Sequence, residues 1–424
     1  VTVSRFFPAA LAVVISFQTR TARADAACSR VTRDNVVPCA LRASLSAQSE
    51  RRTLEAASAR EEVARTVLPS NPVLSGWVAR RSTSVEGTDV NWSAALAQEL
   101  EIGGQRGLRR REAAYGRQAQ SEVVRATERD AAADALRTYF ETLAAREQLS
   151  LAKDLSATAR RVAEAARGAA AHGVIAGVDA DVADAALIAV EDSVLARQSR
   201  ARETSATLAS LLGAPPSADV SVEGTLAPLL VADEVAARGI MDGVVRPEVQ
   251  ALVNEAHAER ARADVFRRER VPNPTLSVFV ERDGFAEHVL GAGLSLPIPL
   301  PHPFGRTYAG EIAESEALSR AAATRAAAVE REARASTARA VARYDAARLR
   351  VALYDTARTT RARETLGRMA AEIEAGRLAV RDAVVAQEAL IELLVAALAA
   401  QEELCVASVD LARAAGVALE RGTR

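Results

Sequence analysis

Lysine is almost missing from this chain: Lys153 is the only one among 424 residues, and arginine supplies the rest of the basic charge. The 54 basic residues are balanced by 55 acidic ones, a formal net charge of -1, which excludes an overall positive field for nucleic acid. Arginines interleaved with Glu and Asp form instead the pattern of a solvated helix face. Aromatic residues make up only 4% of the chain although 49% is hydrophobic. So few large rings cannot fill a thick globular core, whereas abundant Ala and Arg, both strong helix formers, suit long and thin helical layers. Cysteine is scarce too. Three residues, Cys28, Cys39 and Cys405, cannot make a disulfide-dense scaffold. His172, His257, His288 and His302 fall in different elements with no i, i+4 pair and no Cys neighbour, so no metal site is expected. No Ser/His/Asp grouping, phosphate loop or acid pair stands out, which points away from an enzyme and from any cofactor.

Long apolar runs are also lacking. Arg5 is followed by the apolar stretch Phe6 to Phe17 and by Ala22-Arg23-Ala24, a small-x-small cleavage site, so residues 1–24 read as an export signal. Beyond it the best candidate for a spanning helix, Leu390 to Ala400, is about 11 residues long and interrupted by Glu392, against the roughly 18 that a bilayer requires. If the exported chain enters a membrane, it does so with strands. Cys28 follows Ala26-Ala27, as in a lipidated N-terminus, or pairs with Cys39 in an oxidising compartment. Cys405 reads as a small core residue.

What the chain does contain is a duplication. Pro-Ser-Asn-Pro-Val-Leu-Ser at 69–75 returns as Val-Pro-Asn-Pro-Thr-Leu-Ser at 271–277, placing Asn71 and Asn273 202 residues apart. Gly173-Val-Ile-Ala-Gly-Val-Asp179 recurs as Gly376-Arg-Leu-Ala-Val-Arg-Asp382 at an offset of 203. Two strings that agree within one residue mark a duplicated half-molecule, since the period is far longer than a solenoid unit. Repeat 1 spans 41–213, a linker 214–233, repeat 2 234–416 and a tail 417–424, with 25–40 as a mature N-terminal segment.

Within each repeat the hydrophobic period switches. A helix from Leu41 to Leu68 is stopped by Pro69; Val90, Trp92, Ala94 and Leu96 then alternate, and Glu86-Gly87-Thr88-Asp89 supplies a turn, so residues of about 71–101 form a β-hairpin. From Gln105 to Ala171 no proline interrupts an Ala-rich pattern with mixed three- and four-residue spacing, which predicts a coiled-coil-like helix of roughly 100 Å. Gly173 and Gly177 break it (tip turn 171–178), and a return helix follows to Leu212. Repeat 2 predicts a helix over 234–270, a hairpin over 274–298 with a turn at Asp283-Gly284, a Pro-rich connector at 296–303, a long helix over 305–375, a tip turn at 374–381 and a last helix to Ala415. Return helix and following opening helix together match one long helix, so the halves predict a wall of antiparallel helices with hairpins at one end. Four strands of about ten residues with one apolar face suit a lipid-facing sheet but cannot close, and an open edge in lipid leaves backbone groups unpaired. Three copies would supply 12 strands.

The duplicated Asn-Pro-x-Leu-Ser hairpins, Gly-Gly-Gln-Arg at 103–106, Phe304-Gly305-Arg306, Leu-Leu-Gly at 211–213 and the Gly-x5-Asp turns resemble the TolC-like outer-membrane efflux proteins, with details similar to the heavy-metal-efflux (CzcC-like) branch. The resemblance implies a mainly α fold with a transmembrane β part: a trimer forming a 12-stranded barrel in the outer membrane and an α-helical tunnel in the periplasm. It implies a non-enzymatic efflux duct for small solutes such as heavy-metal cations or drugs, docked to a periplasmic adaptor (membrane fusion protein) and an inner-membrane pump of the RND type. It carries over Gly173, Val174, Ile175, Asp179, Gly376, Leu378 and Asp382 as adaptor contacts at the tips, and Asp382 as a tunnel aperture, although Val385 stands where a second aspartate would be. The same tip residues also read as helix breakers and N-terminal charges worth about 1 kcal/mol each. Trp77 and Trp92 read either as interfacial anchors or as packing between protomers. The alternative reading is a periplasmic coiled-coil adaptor or spacer, in which the alternating segments are ordinary strands.

Overall fold

The computed structural model describes residue 28 and residues 30–83, 87–218, 220–230, 232–233, 246–282, 287–417 and 419. The expected export signal, residues 234–245 of the expected repeat 2 helix and the turn at Asp283-Gly284 lie outside these residues.

The chain enters through strand β1 (Arg30–Val31) and helices α1 (Val36–Ala43) and α2 (Leu45–Ala64). The opening helix expected from Leu41 therefore starts earlier, inside the mature N-terminal segment 25–40. It is also cut in two: Ser44 leaves the helical conformation and its Oγ accepts the Ala47 N–H at 3.3 Å, capping α2. After β2 (Val73–Thr83) and β3 (Gly87–Glu99), α3 (Gln105–Ala171) runs unbroken over the expected residues, and α4 (Gly177–Leu211) returns beside it. Gly87, Thr88 and Asp89, expected in the turn, are strand. Gly177 is the first helical residue of α4, and the break falls on Gly173 alone, at φ 70°.

The linker carries β4 (Ser221–Val222), which pairs in parallel with β1. Two strands of two residues have no readable period, and this small sheet was not foreseen. It ties the N-terminal segment to the linker over the middle of α3, where Tyr139 donates to the Glu223 carbonyl at 2.8 Å. Val31, Val36, Leu136, Tyr139, Phe140, Leu208 and Val409 are fully buried there. Cys28 and Cys39 form a disulfide beside this core, with Cα atoms 6.0 Å apart. Cys405 is buried within the core, and burial pushes its thiol up to about 12.

Repeat 2 continues with α5 (Pro247–Glu269), β5 (Thr275–Arg282), β6 (His288–Ser295), α6 (Ala309–Leu353), α7 (Thr356–Glu374) and α8 (Val380–Ala414). Two expectations are corrected. The helix predicted over 234–270 does not run through: Arg246 is extended and Pro247 begins α5, because proline suits the first helical position and no other. The long helix predicted over 305–375 starts at Ala309 and is broken at Tyr354–Asp355, where the Asp355 carboxylate accepts the Arg358 N–H at 2.7 Å and starts a new helix.

Helix α3 is the spine. Toward the sheet it lies between α2 and α5, and α5 packs on α6; toward the tips it packs with α4, α7 and α8. A continuous core in that lower part takes Leu155, Val162 and Ala166 from α3, Leu187 from α4, Leu366 and Ile373 from α7, and Val380 and Leu394 from α8. Helix α8 corrects the expectation that nothing beyond the leader could span a bilayer: by length and composition it could. It packs instead along α3, α6 and α7, with Val380, Ala383, Val384, Gln387 and Leu394 forming a buried stripe at helical spacing.

Candidate functional site

The two hairpins join into one antiparallel sheet in the order β2-β3-β5-β6. Its register aligns the apolar positions of all four strands. Leu74, Leu96, Val278 and Ala292 form one row; Gly76, Ala94, Val280 and Leu290 form the next on the same face; Val78, Trp92, Arg282 and His288 form a third. The opposite face carries Val73, Ala97, Ser277 and Gly293, then Ser75, Ala95, Phe279 and Gly291, then Trp77, Ser93, Glu281 and Val289. One face is thus a continuous apolar band and the other is mixed and mostly small or polar. The band is open to its surroundings, Leu74 being 77% and Leu290 83% exposed. The last row shared by all four strands holds Trp92, 6.4 Å from the His288 ring, beside Arg282, the composition of a membrane–water boundary. Trp77 lies on the other face. Among the described residues neither outer edge, β2 nor β6, is paired.

Where the sheet meets the helices, the duplicated asparagine has a visible task. Asn273 accepts from Gln105 Nε2 at 3.0 Å and donates to Glu99 at 2.8 Å; Gln105 also reaches the Arg268 carbonyl and is 1% exposed. This clasp holds the end of β3, the start of α3 and the end of α5 together. Asn71, its counterpart, is exposed at the β2 edge. Both long helices begin from a left-handed residue, Gly104 at φ 75° and Tyr308 at φ 55°. The connector before Tyr308 folds back so tightly that a Cβ on Gly305 would collide with the Leu300 carbonyl oxygen. It bounds a cleft of about 1060 Å³ with Glu99, Glu101, Gln105, Arg109, Arg306 and Tyr308.

At the far end the two tips are built alike. Gly173 and Gly376, at φ 70° and 66°, close α3 and α7 with paired backbone bonds: Gly173 to Ala170 and Val174 to Ala169, Gly376 to Ile373 and Arg377 to Glu372. Val174 is exposed, while Ile175 and Leu378 turn inward onto the lower core. The two aspartates differ. Asp179 meets Arg381 at 3.3 Å, a tie between the tips that sequence reading missed; Asp382 is exposed beside an exposed Val385. Arg377 grips Glu372 with two hydrogen bonds, which hold that carboxyl below its usual range. His172 Nδ1 lies 2.7 Å from the Gly168 carbonyl, and His257 stacks on Tyr115, so both serve local structure.

A helical wall carrying a four-stranded sheet with one apolar face is the fold of the TolC-like outer-membrane channels. Residues 40–214 match the family model described as outer membrane efflux protein. Among solved structures the chain is similar to a membrane protein from Pseudomonas aeruginosa, at 20% identity and a TM-score of 0.74 over 91% of this chain and 92% of that one. It is similar also to the outer membrane protein VceC from Vibrio cholerae (18%, 0.73, 91% and 96%) and to CusC (14%, 0.73, 91% and 92%). No curated protein matches the chain in sequence.

Proposed function

We propose that the protein is the outer-membrane duct of a tripartite export system. The observation that carries this reading is the sheet: a register that puts the apolar residues of four strands on one face while both edges stay unpaired fits lipid on that face and further copies at the edges. Three copies give 12 strands, an even number within the range of outer-membrane barrels, and the helical walls close below them into a tunnel. A spacer would not need an exposed apolar band.

The tips are the proposed docking site for the periplasmic adaptor, through Gly173, Val174, Ile175, Asp179, Gly376, Leu378 and Asp382, and an RND-type inner-membrane pump supplies energy and cargo. Three copies of Asp382 around the axis form an acidic ring that favours cations. Asp179, neutralised by Arg381, adds little to it. Heavy-metal cations fit that ring; the CzcC-like likeness rests on sequence strings alone. Reconstituted in planar bilayers, the purified protein is expected to conduct with a cation preference that falls in Asp382→Asn. A complete absence of conductance from correctly inserted protein would contradict the duct.

A further inference from the structure

Both free edges of the sheet expose a defined set of backbone groups, and the duplication says how they meet. Backbone polar groups alternate in direction along a strand. Leu100 N–H donates to the Pro274 carbonyl at 2.9 Å, so at Pro274 the backbone of β5 points to β3 and at Thr275 it points to β6. Thr275 is opposite Ser295, hence Ser295 points inward and Leu294 and Leu296 point outward. Carried into the connector Leu296-Pro297-Ile298-Pro299-Leu300-Pro301, the alternation has a consequence. The prolines take the inward positions, where they forfeit no outward donor, while the residues before them, held extended by the following ring, keep outward N–H groups. On β2 the same reasoning, through Ala97 opposite Val73, turns Pro72, Leu74 and Gly76 outward.

The step between repeats is visible inside the chain. Val73 of repeat 1 corresponds to Thr275 of repeat 2, 202 residues on. Val73 is opposite Ala97 and Thr275 is opposite Glu99, two residues further along the same strand. We infer that a second copy adds its β2 to β6 by the same step: Val73 of the partner subunit opposite Pro297, Ser75 of the partner subunit opposite Ser295, and Ile298 N–H donating to the carbonyl of Pro72 of the partner subunit. This rests on the duct reading above. The register also keeps the faces continuous, since Leu294 then stands opposite Gly76 of the partner subunit and Leu296 opposite Leu74 of the partner subunit, all on the apolar side. A stagger of two residues per repeat, with a rise of about 3.3 Å and a strand spacing of about 4.8 Å, tilts the strands by about 35°. That lies within the roughly 35–45° of membrane barrels.

The junctions around the ring are then of two kinds. Within a chain Asn273 is clasped by Glu99 and Gln105. Between chains the corresponding positions hold Pro297 and Ala309, and the connector, six residues longer than its repeat 1 counterpart, takes the place of the clasp.

Ser295 and Ser75 of the partner subunit form a pair without mutual backbone hydrogen bonds, where Cα atoms approach to about 4.5 Å, within disulfide reach. The full-length double variant Ser295→Cys/Ser75→Cys, oxidised in outer membranes, is expected to give covalent dimers and trimers on denaturing non-reducing gels that collapse on reduction. The slipped pair Ser295→Cys/Trp77→Cys is expected to link at least tenfold less. Folding of each variant is checked by its trimer under reducing conditions. A normal trimer that links through the slipped pair, or through neither, overturns the register while leaving the duct intact. A chain that inserts as a monomer overturns both.

Discussion

Val278 and Ser277 are neighbours in sequence and opposite in environment, because side chains alternate across a sheet. Val278 shares its row with Leu74, Leu96 and Ala292, Ser277 with Val73, Ala97 and Gly293. In the proposed duct an arginine at Val278 enters the hydrocarbon at a cost of about 2–4 kcal/mol, whereas one at Ser277 faces the other side and is tolerated. The expected outcome is a depleted outer-membrane trimer for Val278→Arg and a near-normal yield for Ser277→Arg, read by quantitative blotting of membrane fractions. Deep in the wall, Glu402 accepts from buried Gln148 at 2.8 Å and pairs with Arg200. Burial raises its carboxyl above the usual 4.5, against the opposing pull of Arg200 and Gln148. A raised folded-state pKa means the native state favours the proton. The residue's contribution to stability is therefore greatest below 4.5 and declines as pH rises through the raised value. Thermal melts of Glu402→Gln are expected to lose that part of the pH dependence, with the variant gaining on the wild type as pH rises.

Elements were legible in proportion to their length and period. Helix α3 stood in the sequence as 67 residues without proline, and both hairpins announced themselves by alternation between turn residues. The break between α6 and α7 was not seen, because Tyr354-Asp355-Thr356 interrupts the apolar period for only a residue or two and one capping aspartate is common on a solvated helix face. Asp355→Ala removes that cap at a cost of about 1 kcal/mol. It is expected to speed hydrogen exchange in the first turn of α7 severalfold while leaving α6 unchanged, read by mass spectrometry. The β1–β4 pair was invisible because its partners lie 191 residues apart and two residues carry no period. At the tips the glycines were legible as breaks, but the Asp179–Arg381 tie was not, since it joins halves that only the fold brings together. With Arg381 exposed and Asp179 half-buried, that pair contributes at most about 1 kcal/mol.

At the scale of the whole molecule, duplication explains both what the chain builds and what it leaves unfinished. One repeat supplies a hairpin, a long helix and a return helix; the second joins its hairpin to the first through β3 and β5 and lays α5 along α3. The same operation has nowhere to go at β2 and β6 except to another copy. Sequence reading reached the sheet and the wall but not the register, which needs the pairing of β3 with β5, a contact between residues some 180 apart. The proposed working unit is a membrane-inserted ring of three chains. Its most direct test is the size of the protein extracted from outer membranes in mild detergent, run with and without boiling. A trimer that survives mild denaturant and falls to a monomer on boiling is expected. A soluble monomer in the periplasmic fraction would contradict it.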